Sequence, residues 1–177
     1  VDELKGWLGF AAAVAARRAG EAGAPPSVLA ARLPDLLGQL TALQSRLFEL
    51  GSLLADPARC ERPAADDDPF LAAARSLEAG IDALEADLAP LRSFLLPAGD
   101  EAVAALHVAR TVCRRAERQA VGAAGRIAVP QPVLVFLNRL SDFLFVAARW
   151  TGAALGAPET PWRPGAAPSP EAEKRHE

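Results

Sequence analysis

The chain has 177 residues, 51% of them hydrophobic, and a formal net charge of -3. That length suits one domain with a substantial core, and so small a charge excludes bulk electrostatic attraction to nucleic acid or membrane. Alanine and leucine dominate, tyrosine is absent and β-branched residues are sparse, a mix that favours helix over strand.

Periodicity and breakers divide the chain into five helices. The first runs from Asp2 to about Arg18, with Leu4, Leu8, Ala11 and Ala15 at helical spacing, and ends at Gly20, Gly23 and Pro25-Pro26. Asp2 and Glu3 at its start either stabilise the helix N-terminus or, for Asp2, pair with an arginine of the fourth helix. The second helix covers roughly Leu36 to Leu54, with a stripe of Leu40, Leu43, Leu47 and Leu54. A polar linker follows, holding Pro57, Cys60, Pro63 and the acids Asp66-Asp67-Asp68. The third helix spans about Pro69 to Leu88, with Leu77, Ile81, Leu84 and Leu88 inward. Pro90 and Pro97 bracket a loop from Phe94 to Gly99, before a fourth helix from about Glu101 to Ala123. The fifth opens at Pro130 and Pro132 and extends to roughly Leu155. Helices of this length on short loops predict an all-α, five-helix up-and-down bundle over residues 1–155. Residues 156–177, rich in Pro, Gly and Glu, read as an extended or partly disordered tail.

Cys60 and Cys113 offer neither a disulfide framework nor metal-ligand spacing and read as reduced thiols. Acids stand at positions 2 and 3, where a signal peptide would carry positive charge. The longest apolar stretch, Val133 to Ala148, contains Arg139 and Asp142 and reads as too short to span a bilayer. These features predict a soluble, cytoplasmic protein.

The fourth helix carries the most chemistry. At about 100° per residue, Arg110, Arg114 and Arg118 fall on one face, with His107 and Glu117 beside them. Like charges four apart repel by a few tenths of a kcal/mol, about 0.2–0.5 per pair. Either this is a solvated basic face that Glu117 partly neutralises, or an anion compensates it, and guanidinium groups bind polyphosphate in planar, bidentate fashion. On the fifth helix, Asn138, Asp142 and Arg149 share one side of an otherwise apolar surface. Such a stripe is either a core hydrogen-bond network or the wall of a site. No Walker-type phosphate loop, nucleophile elbow or HExxH helix is present. His107 is the only histidine outside the tail, so a catalyst here works by binding and orientation.

Val1-Asp2-Glu3-Leu4 with Leu8-Gly9, the loop Phe94 to Gly99, Ala105-Leu106-His107 with Arg110 through Arg118, and Phe136 through Asp142 together resemble the PduO-type ATP:corrinoid adenosyltransferases. The blocks follow that family's order, and the resemblance extends to about Trp162. It implies a homotrimer with active sites between subunits, in which ATP, with magnesium, lies by the fourth helix. Arg114, Arg115, Glu117, Arg118 and Asn138 would surround ATP. Asp2 would pair with Arg110 across the subunit boundary and, with Arg114, shape the catalytic site. The implied reaction is attack by Co(I) of cobalamin on the 5′ carbon of ATP, releasing triphosphate. Phe94 would wedge beneath the corrin and displace an axial ligand, easing reduction by a partner reductase. By its residues alone, Phe94 could as readily plug the core. Trp162, in Pro161-Trp162-Arg163-Pro164, would fold over bound corrinoid, or else anchor the tail by packing.

The pattern has departures. The family carries a Thr/Gly/Asp-rich phosphate loop and a lysine upstream of the Val-Asp-Glu-Leu block, and this sequence, which opens on Val1, shows neither. Ala98 precedes Gly99 where a Gly-Gly pair is common, and Lys5 stands at a position that is often asparagine. The first departure implies weakened phosphate binding and keeps a second reading open: a non-catalytic trimeric bundle that binds corrinoid without turnover. A third is a ligand-free bundle whose arginines meet acids of another subunit.

Overall fold

The computed structural model describes residues 1–21, 28–61, 65 and 67–165. Among them lie α1 (Asp2–Gly20), α2 (Leu33–Leu54), α3 (Pro57–Cys60), α4 (Pro69–Glu85), α5 (Glu101–Ala123) and α6 (Gln131–Ala154), with a 3-10 turn (Ala30–Arg32) ahead of α2. The five long helices are the five predicted from periodicity. Pro25-Pro26, Pro63, Asp66 and residues 166–177 of the expected tail lie outside the described residues.

Local chemistry sets the helix ends. Asp68 caps α4 by accepting from the N–H groups of Phe70 and Leu71, with Pro69 in the first turn, where a missing N–H costs nothing. The last acid of the run is thus the cap of the helix. Asp100 caps α5 by accepting from the N–H of Ala102, and it also takes a 2.7 Å bond from Nε of Arg18. One carboxylate thus joins the end of α1 to the start of α5. Gly99 just before it sits at φ 106°, a conformation that L side chains rarely adopt. The predicted polar linker is not all loop. Asp56 caps the single turn of α3, and Cys60 is buried with its thiol 3.2 Å from the carbonyl of Leu53. The third predicted helix also stops earlier than expected, at Glu85 rather than Leu88.

The core follows the predicted stripes. Leu4, Leu8, Ala11 and Ala15 of α1, and Leu40, Leu43 and Leu47 of α2, are buried, whereas Leu54 is half-buried. α5 packs on both α1 and α6, α1 packs on α2, and α4 packs on α6. α4 and α6 approach closely at Gly80, where a Cβ would meet the ring of Phe143 at 3.1 Å. Phe136, Phe143 and Trp150 of α6 are almost wholly buried, and each such side chain stabilises the fold by roughly 1.5–3 kcal/mol.

The estimate that the apolar stretch is too short for a bilayer is corrected. α6 runs for 24 residues and is long and apolar enough to cross a membrane by length and composition, though 61% of its most apolar window is buried inside the protein. Its apolar surface is spent on α4 and α5, which makes it the central helix of the bundle.

Candidate active site

α5 carries a row of side chains that changes character along its length. His107, near the N-terminal half, is buried. Burial pushes its imidazole pKa below the ordinary value, and the positive charge of Arg110 lowers it further. Arg110, one turn on, is half-buried, with its guanidinium 5.2 Å from the ring centroid of Phe145 on α6. Desolvation and the neighbouring Arg114 push the Arg110 pKa down, opposed by the charge of Asp142. No carboxylate among the described residues forms a salt bridge with Arg110, a desolvated cation held by an aromatic face. Arg114, Arg115 and Arg118 are exposed on the following turns.

Their partners differ. Arg115 pairs with Glu3 of α1, which the sequence did not foretell. Among the described residues Arg114 and Arg118 form no ion pair, so two cations of the row stand open to an incoming anion. Nδ2 of Asn138 on α6 donates to Oε1 of Glu117 at 2.8 Å. The structure thereby brings together two residues that the resemblance placed around one nucleotide. Asn138 is exposed, so the polar stripe expected on a buried wall opens to solvent at that end. Asp142 is half-buried and accepts from Nη1 of Arg139 at 3.2 Å. Arg149, at the far end of the stripe, is buried.

Asp2 does not meet Arg110 within the chain. Its carboxylate lies 2.7 Å from Nζ of Lys5, and that ammonium holds it below the usual carboxylate range. Lys5 in turn sits 3.5 Å over the ring of Phe48. Asp2 is otherwise open to solvent.

Phe94 is no core plug: it is 79% exposed. Its loop pairs with the first part of the C-terminal segment through an antiparallel bridge between Leu95 and Pro161. The N–H of Leu96 donates to the carbonyl of Thr160 at 2.9 Å, and that of Trp162 to the carbonyl of Phe94 at 2.7 Å. The rings of Phe94 and Trp162 meet edge to face, 6.2 Å apart. The Pro-rich composition after Leu155 hid this pairing, because two bridge bonds leave no periodic trace in a sequence.

The arrangement can bind an oxyanion along α5 and a flat apolar surface at the Phe94 loop. His107 contacts the cavity beneath that loop, and the arginines begin one turn further along the same helix. A rise of about 1.5 Å per residue separates His107 from Arg118 by roughly 16 Å.

Residues 1–151 match the family model described as cobalamin adenosyltransferase. A corrinoid adenosyltransferase of Bos taurus is 38% identical over 164 residues, covering 89% of this chain and 61% of that protein. One of Bacillus subtilis is 34% identical, covering 88% of this chain and 72% of the relative. A solved variant of a PduO-type ATP:corrinoid adenosyltransferase from Lactobacillus reuteri, complexed with cobalamin and ATP, superposes with a TM-score of 0.73 at 32% identity. That superposition covers 92% of this chain and 80% of the other. The chain thus spans less than two thirds of the Bos taurus protein it matches.

Proposed function

The chain belongs to the cobalamin adenosyltransferase family, and on that premise we propose that it transfers the 5′-deoxyadenosyl group of ATP to the cobalt of a reduced corrinoid. The observation that carries this reading is the α5 face, where Arg114 and Arg118 stand exposed, without ion pairs among the described residues, beside the bonded pair Glu117 and Asn138. Relatives named as corrinoid adenosyltransferases, and a solved relative complexed with cobalamin and ATP, support it over a bundle without turnover.

In the reaction the corrinoid substrate, as Co(I), supplies an electron pair to C5′ of ATP. The Co–C bond forms, the C5′–O bond breaks, and triphosphate leaves with the bonding pair. No protein nucleophile is required, so the chain's work is alignment and charge stabilisation. Arg114 and Arg118 bind the triphosphate oxygens, where charge grows as the bond breaks. Arg115, tied to Glu3, and Glu117, tied to Asn138, fix the edges of the nucleotide site. Among the described residues no group of three or more His, Cys, Asp or Glu side chains is placed to hold a metal ion. In this reading a magnesium ion comes with the nucleotide, as this ion commonly does when phosphates supply most of its ligands.

Three copies assemble with a site at each boundary. The support is Arg110, which forms no salt bridge among the described residues and feels only the more distant charge of Asp142 there, and Asp2, which is exposed and paired with Lys5. Asp2 of a neighbouring copy supplies the missing charge. Phe94 and Trp162 contact the corrinoid, a reductase provides the electrons for Co(I), and the protein works in the cytoplasm with both cysteines free.

The test mixes the protein with MgATP and chemically reduced cobalamin and follows the absorbance of adenosylcobalamin formation. Product appears under this reading. A corrinoid spectral shift without product leaves only a binding protein, and no change at all removes both. Sedimentation at several protein concentrations reads the trimer directly.

A further inference from the structure

Arg149 is only 6% exposed. A guanidinium taken out of water must satisfy its donors inside the protein. It does so on two segments far apart in the chain. Nη2 donates to the carbonyl of Ala89 at 2.9 Å, and Nε donates to Oε1 of Glu159 at 2.6 Å. Ala89 lies just ahead of the Phe94 loop, and Glu159 lies just ahead of the residues that pair with it. One buried side chain on the central helix therefore grips both segments at their base.

The grip matters because the pairing is slight. A single bridge with two backbone bonds, exposed to water, is marginal without other support. The space beneath is almost filled: the cavity bordered by Leu95, Val103, His107, Arg149 and Glu159 holds about 20 Å³, room for about one water molecule. Gly152, one turn after Arg149, accepts at its carbonyl from the N–H of Ala157 at 2.8 Å and turns the chain back toward the loop.

We infer that Arg149 is a positioning residue, clamping the carbonyl of Ala89 and the carboxylate of Glu159 so that Phe94 and Trp162 are held in one edge-to-face geometry. Its catalytic meaning rests on the proposed corrinoid reaction, whereas the clamp itself rests on geometry alone. Lysine cannot replace it, because an ammonium is a point donor without the planar fork that reaches two acceptors at fixed angles.

The experiment has two independent readouts. Full-length protein is labelled with 5-fluorotryptophan, and the Trp162 resonance is assigned by its loss in Trp162→Phe. In Arg149→Lys and in Glu159→Gln the Trp162 resonance shifts and narrows toward that of a mobile exposed ring, while the Trp7 resonance stays. Glu159→Gln alters a partly exposed side chain away from the core and keeps the test valid should Arg149→Lys unfold. In the adenosylation assay both variants raise the corrinoid KM by about tenfold, less than the roughly hundredfold that a 1 Å misplacement costs, with ATP affinity unchanged. Combining the two substitutions costs less than the sum of the singles, since both act on the Arg149–Glu159 contact. An unmoved Trp162 resonance in folded Glu159→Gln protein overturns the clamp. A matching fall in ATP affinity overturns the positioning role. Absence of adenosylcobalamin with wild-type protein overturns the proposed function, and the fluorine spectra still decide the clamp.

Discussion

Phe94 and Trp162 meet edge to face with their rings 77° apart, yet both stay open to water, at 79% and 47% exposure. Aromatic pairs of this geometry gain roughly 0.5–1.5 kcal/mol beyond burial, too little to justify so much wet apolar area for stability alone. Leu91, just ahead of the loop, and Leu96 within it are exposed as well. Exposed apolar side chains gathered in one short segment around a ring pair point to a ligand face.

Phe94→Ala should therefore leave the fold and ATP affinity untouched. Its effect should fall on the step that reaches Co(I): the rate starting from unreduced cobalamin drops, while the rate from pre-reduced cobalamin changes less. Comparing the two starting materials in stopped-flow absorbance checks this. Equal rates from both, in wild type and variant alike, would take Phe94 out of the mechanism.

Arg114→Ala should abolish measurable ATP binding with the helical content intact. The side chain is exposed and unpaired among the described residues, so its removal costs the fold within about 0.5 kcal/mol. Each charge-assisted bond lost to phosphate is worth roughly 1.5–3 kcal/mol, and a bidentate contact loses two. Calorimetric titration with ATP, alongside circular dichroism, separates the outcomes. Normal affinity in the variant would contradict the assignment of the basic face.

Much of this architecture was legible beforehand because it is periodic. Leucines at helical spacing on α1 and α2, and the arginines four apart on α5, announce which faces point in and out before any coordinate is known. What could not be read are contacts made once, between segments with no shared period. Glu3 meets Arg115 only because α1 packs on α5, and Arg149 meets Ala89 and Glu159 only because two loops fold over one end of α6. Arg149 stood out as a polar residue on an apolar helix, but its partners depend on chain paths that composition does not encode. Cys60 is the reverse case: flanking prolines and acids suggested linker, and a local cap by Asp56 buried it instead.

Trp150→Phe tests how the region before the Phe94 loop is anchored. The indole, 1% exposed, donates to Oδ2 of Asp87 at 2.8 Å, and Asp87 also pairs with Arg32, whose guanidinium lies over the indole ring. Phenylalanine preserves most of the buried apolar area but removes the donor. A bond to a charged acceptor is worth about 1.5–3 kcal/mol, and Arg32 remains to satisfy the carboxylate, so a loss near the lower end is expected in urea unfolding. Asp87→Asn in the same background should cost less than it does alone. Full additivity would mean that the two side chains do not act through their shared contact.

His107 gives the bundle a pH dependence of definite sign. Burial first, and the Arg110 charge second, hold its imidazole below the ordinary value near 6.5, so the folded chain resists a proton that the unfolded chain accepts. Wherever the unfolded state binds more protons, stability rises with pH. The contribution is thus fully present above the unfolded value and is lost as pH falls from there toward the depressed folded value. Asp2 and Asp87, both held below their ordinary value of 3.8, titrate in a more acidic range and leave this window to the histidine. Arg149 and Glu159 border the same cavity as His107, but they already satisfy one another and offer the incoming proton no free carboxylate. His107→Gln keeps a polar side chain of similar reach that cannot titrate. Urea midpoints measured from about pH 7.5 down to about pH 5.5 should fall in the wild type and stay nearly level in the variant. If both lines slope alike, the acid sensitivity arises elsewhere and His107 takes up its proton without strain.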